Sequence, residues 1–243
     1  MADLPIPFSP PMVRSLLREI EQPGTGKTQT RRTNGVPVIE RTQSEGWHIH
    51  NRHGGVFTWC DDAVSDVAAE MLRYQRGDRL YVREHWRASY CEDDAAPRDI
   101  PAGSIVEYLA TDEGELTGKN RRGMHMPKWA SRITLYVTDV RVERLQDISE
   151  EDARAEGAYV GKASGRVADD HMTMAVAGIW FSTARTWYAD LWDRINGPGA
   201  WDANPWVAAY TFVPVLGNIT TLPAALDDLP SHPEGTAKPQ TTV

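Results

Sequence analysis

The chain has 243 residues, 41% of them hydrophobic and 25% charged, which excludes wholesale disorder and allows a real core. Lys plus Arg is 26 and Asp plus Glu is 34, a formal charge of −8, which weighs against a protein that grips long nucleic acid through its phosphates. A small neutral substrate, or a local basic patch, remains compatible with that charge.

No run approaches the roughly 18 apolar residues of a membrane helix. The opening MADLPIPFSPPM lacks a basic region and an apolar core, so a signal peptide is not expected and a cytoplasmic location is. Two cysteines, Cys60 and Cys91, argue against a disulfide framework. Nine Trp stand against four Phe, and the default use of such rings is packing.

In chain order, Met12, Leu16 and Ile20 stand at helical spacing with Val13 and Leu17 beside them, which predicts a short amphipathic helix stopped at Gln22-Pro23-Gly24. Next comes GTGKTQTRR (24–32). Residues 33–75 are polar and read as an insertion or long loop with one helical piece, Ala63–Tyr74. After the Gly77-Asp78 turn, Arg79–Arg87 reads as a strand, and Ser104–Ala110 as another. Trp129–Leu145 is the clearest strand, with a phase change between Val137 and Val140 that predicts a bulge. Ser149 is a good N-cap for a helix ending at Gly157. A loop follows at 161–175. Ile179–Ile195 reads as an aromatic-rich helix and Trp206–Pro214 as a closing strand. The sum is an α+β chain, a small mixed β-barrel with peripheral helices. One domain is expected over 1–214, with an insertion at about 33–75 and a disordered tail at 215–243.

Gly26-Lys27-Thr28 invites a phosphate-loop reading. That motif needs Gly at position 21, where Glu21 stands, and a strand before the loop, where a helix is expected. The other reading is catalytic. Lys27 and Thr30 are three apart, Arg31 and Arg32 follow, and crowded cations lower a lysine pKa toward that of a base. A threonine hydroxyl needs such a base to attack. The plain alternative is a solvated basic turn. His48, His50 and His53 hint at a metal, but Arg52 stands where Asp would be wanted, so a solvated loop and no metal are expected. Glu84 beside Trp86 is either a pocket carboxylate next to a stacking ring or half of an edge-strand ion pair. Glu156 reads most simply as a surface charge.

Four segments taken together, PIPFSPPMVRSLL…GKTQTRR, GDRLYVREHW, MPKWASRITLYVTDVRVERLQDISEEDARAEG and LWDRINGPGAWDANPWVAAYTF, resemble the larger ASCH-domain proteins common in phages and prophages. The resemblance implies a PUA-like β-barrel. It also implies an activity, because the best-understood enzymes of that family are small bacterial amidohydrolases that cleave N4-acetylcytidine to cytidine and acetate. Their K-x-x-T matches Lys27-Thr28-Gln29-Thr30. Their T-E-x-x-A-x-x-E matches Ser149–Glu156, with Ser in place of Thr. The implied catalytic set is Lys27, Thr30 and Glu156, without a cofactor. This chain is far longer than the minimal enzyme, and its insertion bears on the shape of the pocket.

On that reading Thr30, or a water in its place, attacks the acyl carbonyl and a neutral Lys27 takes the proton. Glu156 orients Lys27, and backbone N–H groups of Gly24–Thr30 hold the oxyanion. Arg31, Arg32 and Glu84 shape base or ribose contacts, and Trp86 stacks on the ring. Two rivals stand beside it. One is an RNA-binding module or ribonuclease built on Lys119, Arg121, Arg122, Lys128 and Arg132, with Trp129 among them. The other is a phage accessory protein without catalysis.

Overall fold

The computed structural model describes residues 2–42, 46–50, 56–59, 63–112, 114, 117–160, 167–168 and 181–228. In chain order the elements are β1 (Asp3–Pro7), α1 (Pro10–Glu21), β2 (Gln29–Arg32), β3 (Val38–Thr42), β4 (Gly46–His50) and β5 (Val56–Trp59). Then come α2 (Val64–Glu70), β6 (Arg79–Arg83), β7 (Trp86–Ala88), β8 (Val106–Tyr108) and β9 (Ile133–Arg144). The chain continues through α3 (Glu150–Ala155), β10 (Tyr159–Val160), β11 (Val167–Ala168), α4 (Ala184–Asn196) and β12 (Trp206–Leu216).

A five-stranded sheet in the order β1-β6-β9-β12-β2 carries the molecule. β1 runs parallel to β6, and the other pairings are antiparallel. The class is α+β, as expected, but among the described residues no ladder joins the two edges, so the sheet is open and not a closed barrel. The composition of β1 supplies a reason. Pro5 and Pro7 have no N–H, so its outer edge makes a poor template for pairing. The gap is crossed instead by a side chain, with an Arg32 guanidinium N–H donating to the Pro7 carbonyl at 2.8 Å.

The long strand β9 binds β6 on one side and β12 on the other. Thr211 pairs with Asp139 but Phe212 pairs with Val137, so Thr138 is the extra residue of a bulge, where the phase change places it. Both flanks of the bulge therefore turn apolar residues inward. Ile6, Leu16, Leu80, Leu135, Val137, Tyr210 and Phe212 form one core between the sheet, α1 and α2. A second core of Leu145, Ala153, Trp187, Tyr188, Trp192 and Val207 holds α3 and α4 against the far end of β9 and β12. Trp86, Met126 and Ala130 centre a third. Trp86, Trp187 and Trp192 are buried and Trp47 stacks edge-on against Trp206, so these rings serve packing.

Three expectations are corrected. Residues 33–75 are not a long loop, because β3, β4 and β5 form an antiparallel meander whose Ile39 and Ile49 enter the first core. The strand expected at Arg79–Arg87 is two strands. The Arg83 carbonyl accepts the Phe8 N–H, the chain turns at Glu84-His85, and Trp86 exchanges backbone hydrogen bonds with Arg121. The closing strand runs to Leu216, and 217–228 stay attached. There Ile219 is buried, Asn218 Nδ2 donates to the carbonyls of Lys128, Trp129 and Ser131, and Arg79 holds the Leu222 and Pro223 carbonyls. Residues 229–243, the rest of the expected tail, and 161–166 and 169–175 of the expected loop lie outside the described residues, as do 179–180 of the expected Ile179–Ile195 helix, which in fact begins at Ala184, because Thr183 is extended and caps it by accepting the Thr186 N–H.

Candidate active site

The loop from α1 to β2 is pressed against its own helix. A Cβ on Gly26 would stand 2.3 Å from both the Glu19 nitrogen and the Ser15 oxygen, so only glycine fits there. Glu19 fastens the loop by accepting the Gly24 and Gly26 N–H groups at 2.9 and 2.8 Å. The Lys27 N–H then donates to Ser15 O, and the Thr28 N–H to Ala155 O at the end of α3. These bonds send the Lys27 side chain inward, where it is only 1% exposed.

Helix α3 delivers the partner. Ser149 caps it by accepting the Asp152 N–H at 3.0 Å. Glu156 sits at its C-terminal end, 3% exposed, and Gly157 follows with φ +106°. A Cβ at Gly157 would lie 2.4 Å from Ser15 Oγ and 3.3 Å from Lys27 Cβ. Glycine therefore provides both the turn and the close approach. Lys27 Nζ donates to Glu156 Oε2 at 2.6 Å and to the Glu156 carbonyl at 2.8 Å. Burial lowers the Lys27 pKa, Glu156 opposes the shift, and Arg32 and Arg31 add to it.

Arg31 neutralises the acids around this pair. Its guanidinium donates to Glu143 (2.9 and 2.7 Å), Asp152 (3.2 Å), Glu156 Oε1 (3.2 Å) and Gln29 Oε1 (2.6 Å). Tyr188 OH adds a hydrogen bond to Glu156 Oε1 at 3.3 Å. Burial, then the Glu156 charge, holds that phenol well above its usual pKa, so it remains a donor. Glu156 is thus served by Arg31 and Tyr188 as well as by Lys27, and Lys27 can be neutral without stranding a buried carboxylate.

A cavity of about 310 Å³ opens beside the pair, near the lower end of small-ligand sites. Its polar lining includes Lys27, Thr30, Arg32, Asn34, Glu156 and Tyr188, and its apolar lining Phe8, Met12, Leu191 and Trp192. Thr30 belongs to it, though its hydroxyl makes no hydrogen bond to Lys27 in this structure. A larger cavity of about 620 Å³ lies on the other side of the loop, between Arg18, Glu19, Thr25, Glu151 and Arg154, away from Lys27 and Thr30.

The structure brings together Lys27, Thr30, Glu156, Arg31 and Arg32. It separates Glu84 and Trp86 from them, since neither lines this cavity. Glu84 is buried in a bidentate pair with Arg132, both contacts at 2.9 Å, and Arg132 stacks 4.0 Å over Tyr108. Trp86 is fully buried in the third core, so its face is not free to stack on a substrate. Arg31 is also reassigned. With its donors given to Glu143, Asp152, Glu156 and Gln29, it holds the site and has no free edge for a base. The N–H groups of Gly24 to Thr28 are engaged by Glu19, Gln22, Ser15 and Ala155, so they do not form an oxyanion hole. Four of the five cations of the basic run are also spent internally. Lys119 binds Asp93, Arg121 binds the Glu92 and Ala95 carbonyls, Lys128 binds Asp3 and Arg132 binds Glu84. His48 and His50 contact Thr42 and Glu40 on the meander, His53 lies outside the described residues, and those residues hold no group of three or more metal-ligand side chains.

Sequence reasoning missed Tyr188, Asp152 and Glu143. The only available signal for Tyr188 was its place on the aromatic face of the helix before Asn196. No protein-family model matches the chain, and neither a curated protein nor a solved structure matches it.

Proposed function

We propose that the chain is an amidohydrolase of the ASCH type, acting on the N4-acyl group of a cytosine nucleoside, and that its sheet is a PUA-like barrel left open between β1 and β2. The observation that carries this reading is the way Lys27 is held. Two hydrogen bonds to Glu156 and the bond to Cε take up three of the four tetrahedral positions around Nζ. The fourth is left for a group in the cavity that Lys27 lines. In a neutral amine that position is a lone pair, which is what a general base requires.

In this mechanism the Lys27 lone pair takes the Thr30 hydroxyl proton as Oγ1 attacks the acyl carbon. The carbonyl π electrons move to oxygen. Arg32, whose guanidinium has no carboxylate within ion-pair distance among the described residues, lines the same cavity and can meet that charge. Collapse breaks the C–N bond, and Lys27 returns its proton to the cytosine amine. Water then cleaves the threonyl ester and releases the carboxylate. Phe8, Leu191 and Trp192 give the pyrimidine an apolar wall. Among the cations assigned to an RNA platform four are paired internally, which favours the enzyme over the binding module. The test is the absorbance change as N4-acetylcytidine becomes cytidine. Purified protein is expected to catalyse it and Lys27→Ala to abolish it. No release, or full rate in the variant, overturns the reading.

A further inference from the structure

A third cavity, of about 290 Å³, shares Arg32 and Asn34 in its lining with the 310 Å³ cavity beside Lys27. Its other walls are Ile6, Pro7, Arg73, Tyr74 and Tyr210. Two arginines, Arg32 and Arg73, line it, and a third, Arg83, stands on the neighbouring strand outside the lining. Arg73 lies over the Tyr74 ring at 5.4 Å, and Arg32 donates to Pro7 O. Arg83, paired in register with Pro7, donates to the Met124 carbonyl and the Tyr81 hydroxyl, and its buried Nε has no partner. None of the three forms an ion pair with a carboxylate among the described residues. Burial raises the Tyr74 phenol pKa, and the charges opposing that rise are Arg73, Arg32 and Arg83.

Arg32 and Arg73 line a concave site without an ion pair there, and although the Glu156 charge reaches Arg32 they leave positive potential that an anion can answer. Guanidinium groups match phosphate oxygens in geometry as well as in charge. The site sits one cavity away from Lys27, on the side where Arg32 lies.

We propose that this cavity holds the phosphate of the substrate, so that the preferred ligand is a cytosine mononucleotide, and its acylated form the substrate, in place of a free nucleoside. This rests on the hydrolase reading for the identity of the base but not for the phosphate. A mononucleotide fits better than an RNA strand, because four of the five cations of the basic run are paired internally and the net charge repels a longer polyanion.

The test is calorimetric titration of the full chain with cytidine, 5′-CMP, 3′-CMP, inorganic phosphate and a short oligocytidine RNA. One CMP isomer is expected to bind at least about tenfold more tightly than cytidine, since hydrogen bonds to charged groups are worth that much or more. Arg73→Ala and Arg73→Glu, at an exposed position lining the cavity, should each remove most of that gap, with unchanged circular dichroism. Inorganic phosphate should compete with CMP. Equal affinity for cytidine and CMP overturns the proposal, as does a gap that survives both variants. An oligonucleotide that binds more tightly than CMP, with a steep loss on adding salt, overturns it in favour of RNA. If CMP binds as expected but no acyl group is hydrolysed, the hydrolase reading fails and the phosphate site stands.

Discussion

Glu156 takes two of the three hydrogen-bonding positions of the Lys27 amine, one with its carboxylate and one with its own carbonyl. The grip is backbone as well as side chain, so replacing the Glu156 side chain removes only half of it. Arg31 touches the other carboxylate oxygen. Lys27→Met keeps the volume and leaves Glu156 paired, so urea unfolding should show a loss of about 1 kcal/mol, while activity disappears. Glu156→Ala takes from the buried Lys27 amine and the buried Arg31 guanidinium the carboxylate they share and should cost about 3–5 kcal/mol. Equal losses in the two variants would show that Arg31 does not sustain Glu156.

Thr30 lines the cavity without a hydrogen bond to Lys27, so its hydroxyl contributes more to chemistry than to folding. Thr30→Ala should lower kcat by about 10³-fold or more while changing stability by about 1 kcal/mol or less. Thr30→Ser should keep measurable rate, and mass spectrometry of the quenched wild-type reaction should find an acyl group on Thr30. An alanine variant at near wild-type rate would move the nucleophile to water.

The pH dependence follows from burial at Lys27. Its folded-state pKa lies below the ordinary lysine value of 10.5, with burial the leading cause. Between those two values the unfolded chain binds more protons than the folded one, so this group makes stability rise with pH across that window. The rate should rise along the same limb, as the amine loses its proton. Asp152 acts at the acid end. Burial pushes its carboxyl up, but the Gln29 hydrogen bond and the Arg31 and Arg141 charges bring it below its usual range. Its contribution is present above the ordinary Asp range and is lost as pH falls through the lowered value. Asp152→Asn should therefore flatten the acid limb of a stability-versus-pH curve, and an unchanged limb would remove Asp152 from the account.

Two glycines with positive φ separate strain from crowding. Gly24 has φ +83° and open space around its Cα, so Gly24→Ala should cost about 1 kcal/mol. Gly157 has φ +106° and no room, and Gly157→Ala should cost about 2–4 kcal/mol and lower activity by moving Lys27 away from Glu156. Thermal unfolding of the two variants side by side checks the difference.

What could be read from the residues divides along physical lines. The Ser149 cap, the β9 bulge and the amphipathic α1 are local, and spacing alone shows them. Glu156 looks like a surface charge by spacing, and only the family resemblance marked it. Its burial comes from tertiary contacts with Lys27, Arg31 and Tyr188, none of which is local to α3. Glu84 misled because alternation was carried through a point where the chain leaves one sheet for another. Arg31 misled because a cation next to a catalytic motif looks available, and three acids from β9 and α3 claim it. The meander escaped because its strands are short and polar on one face, and its two buried isoleucines lie ten residues apart.

The bonds from Arg79 and Tyr136 to the Leu222 and Pro223 carbonyls set where the chain can be shortened. Arg79 also pairs with Asp3, so one side chain fastens both ends of the described fold to the same strand. A chain stopped at Leu216 would uncover the slot of Ile219 and free the Asn218 bonds, loosening the first strand along with the last. One stopped at Asp228 keeps the whole fastening, and a label or fusion partner belongs beyond that point.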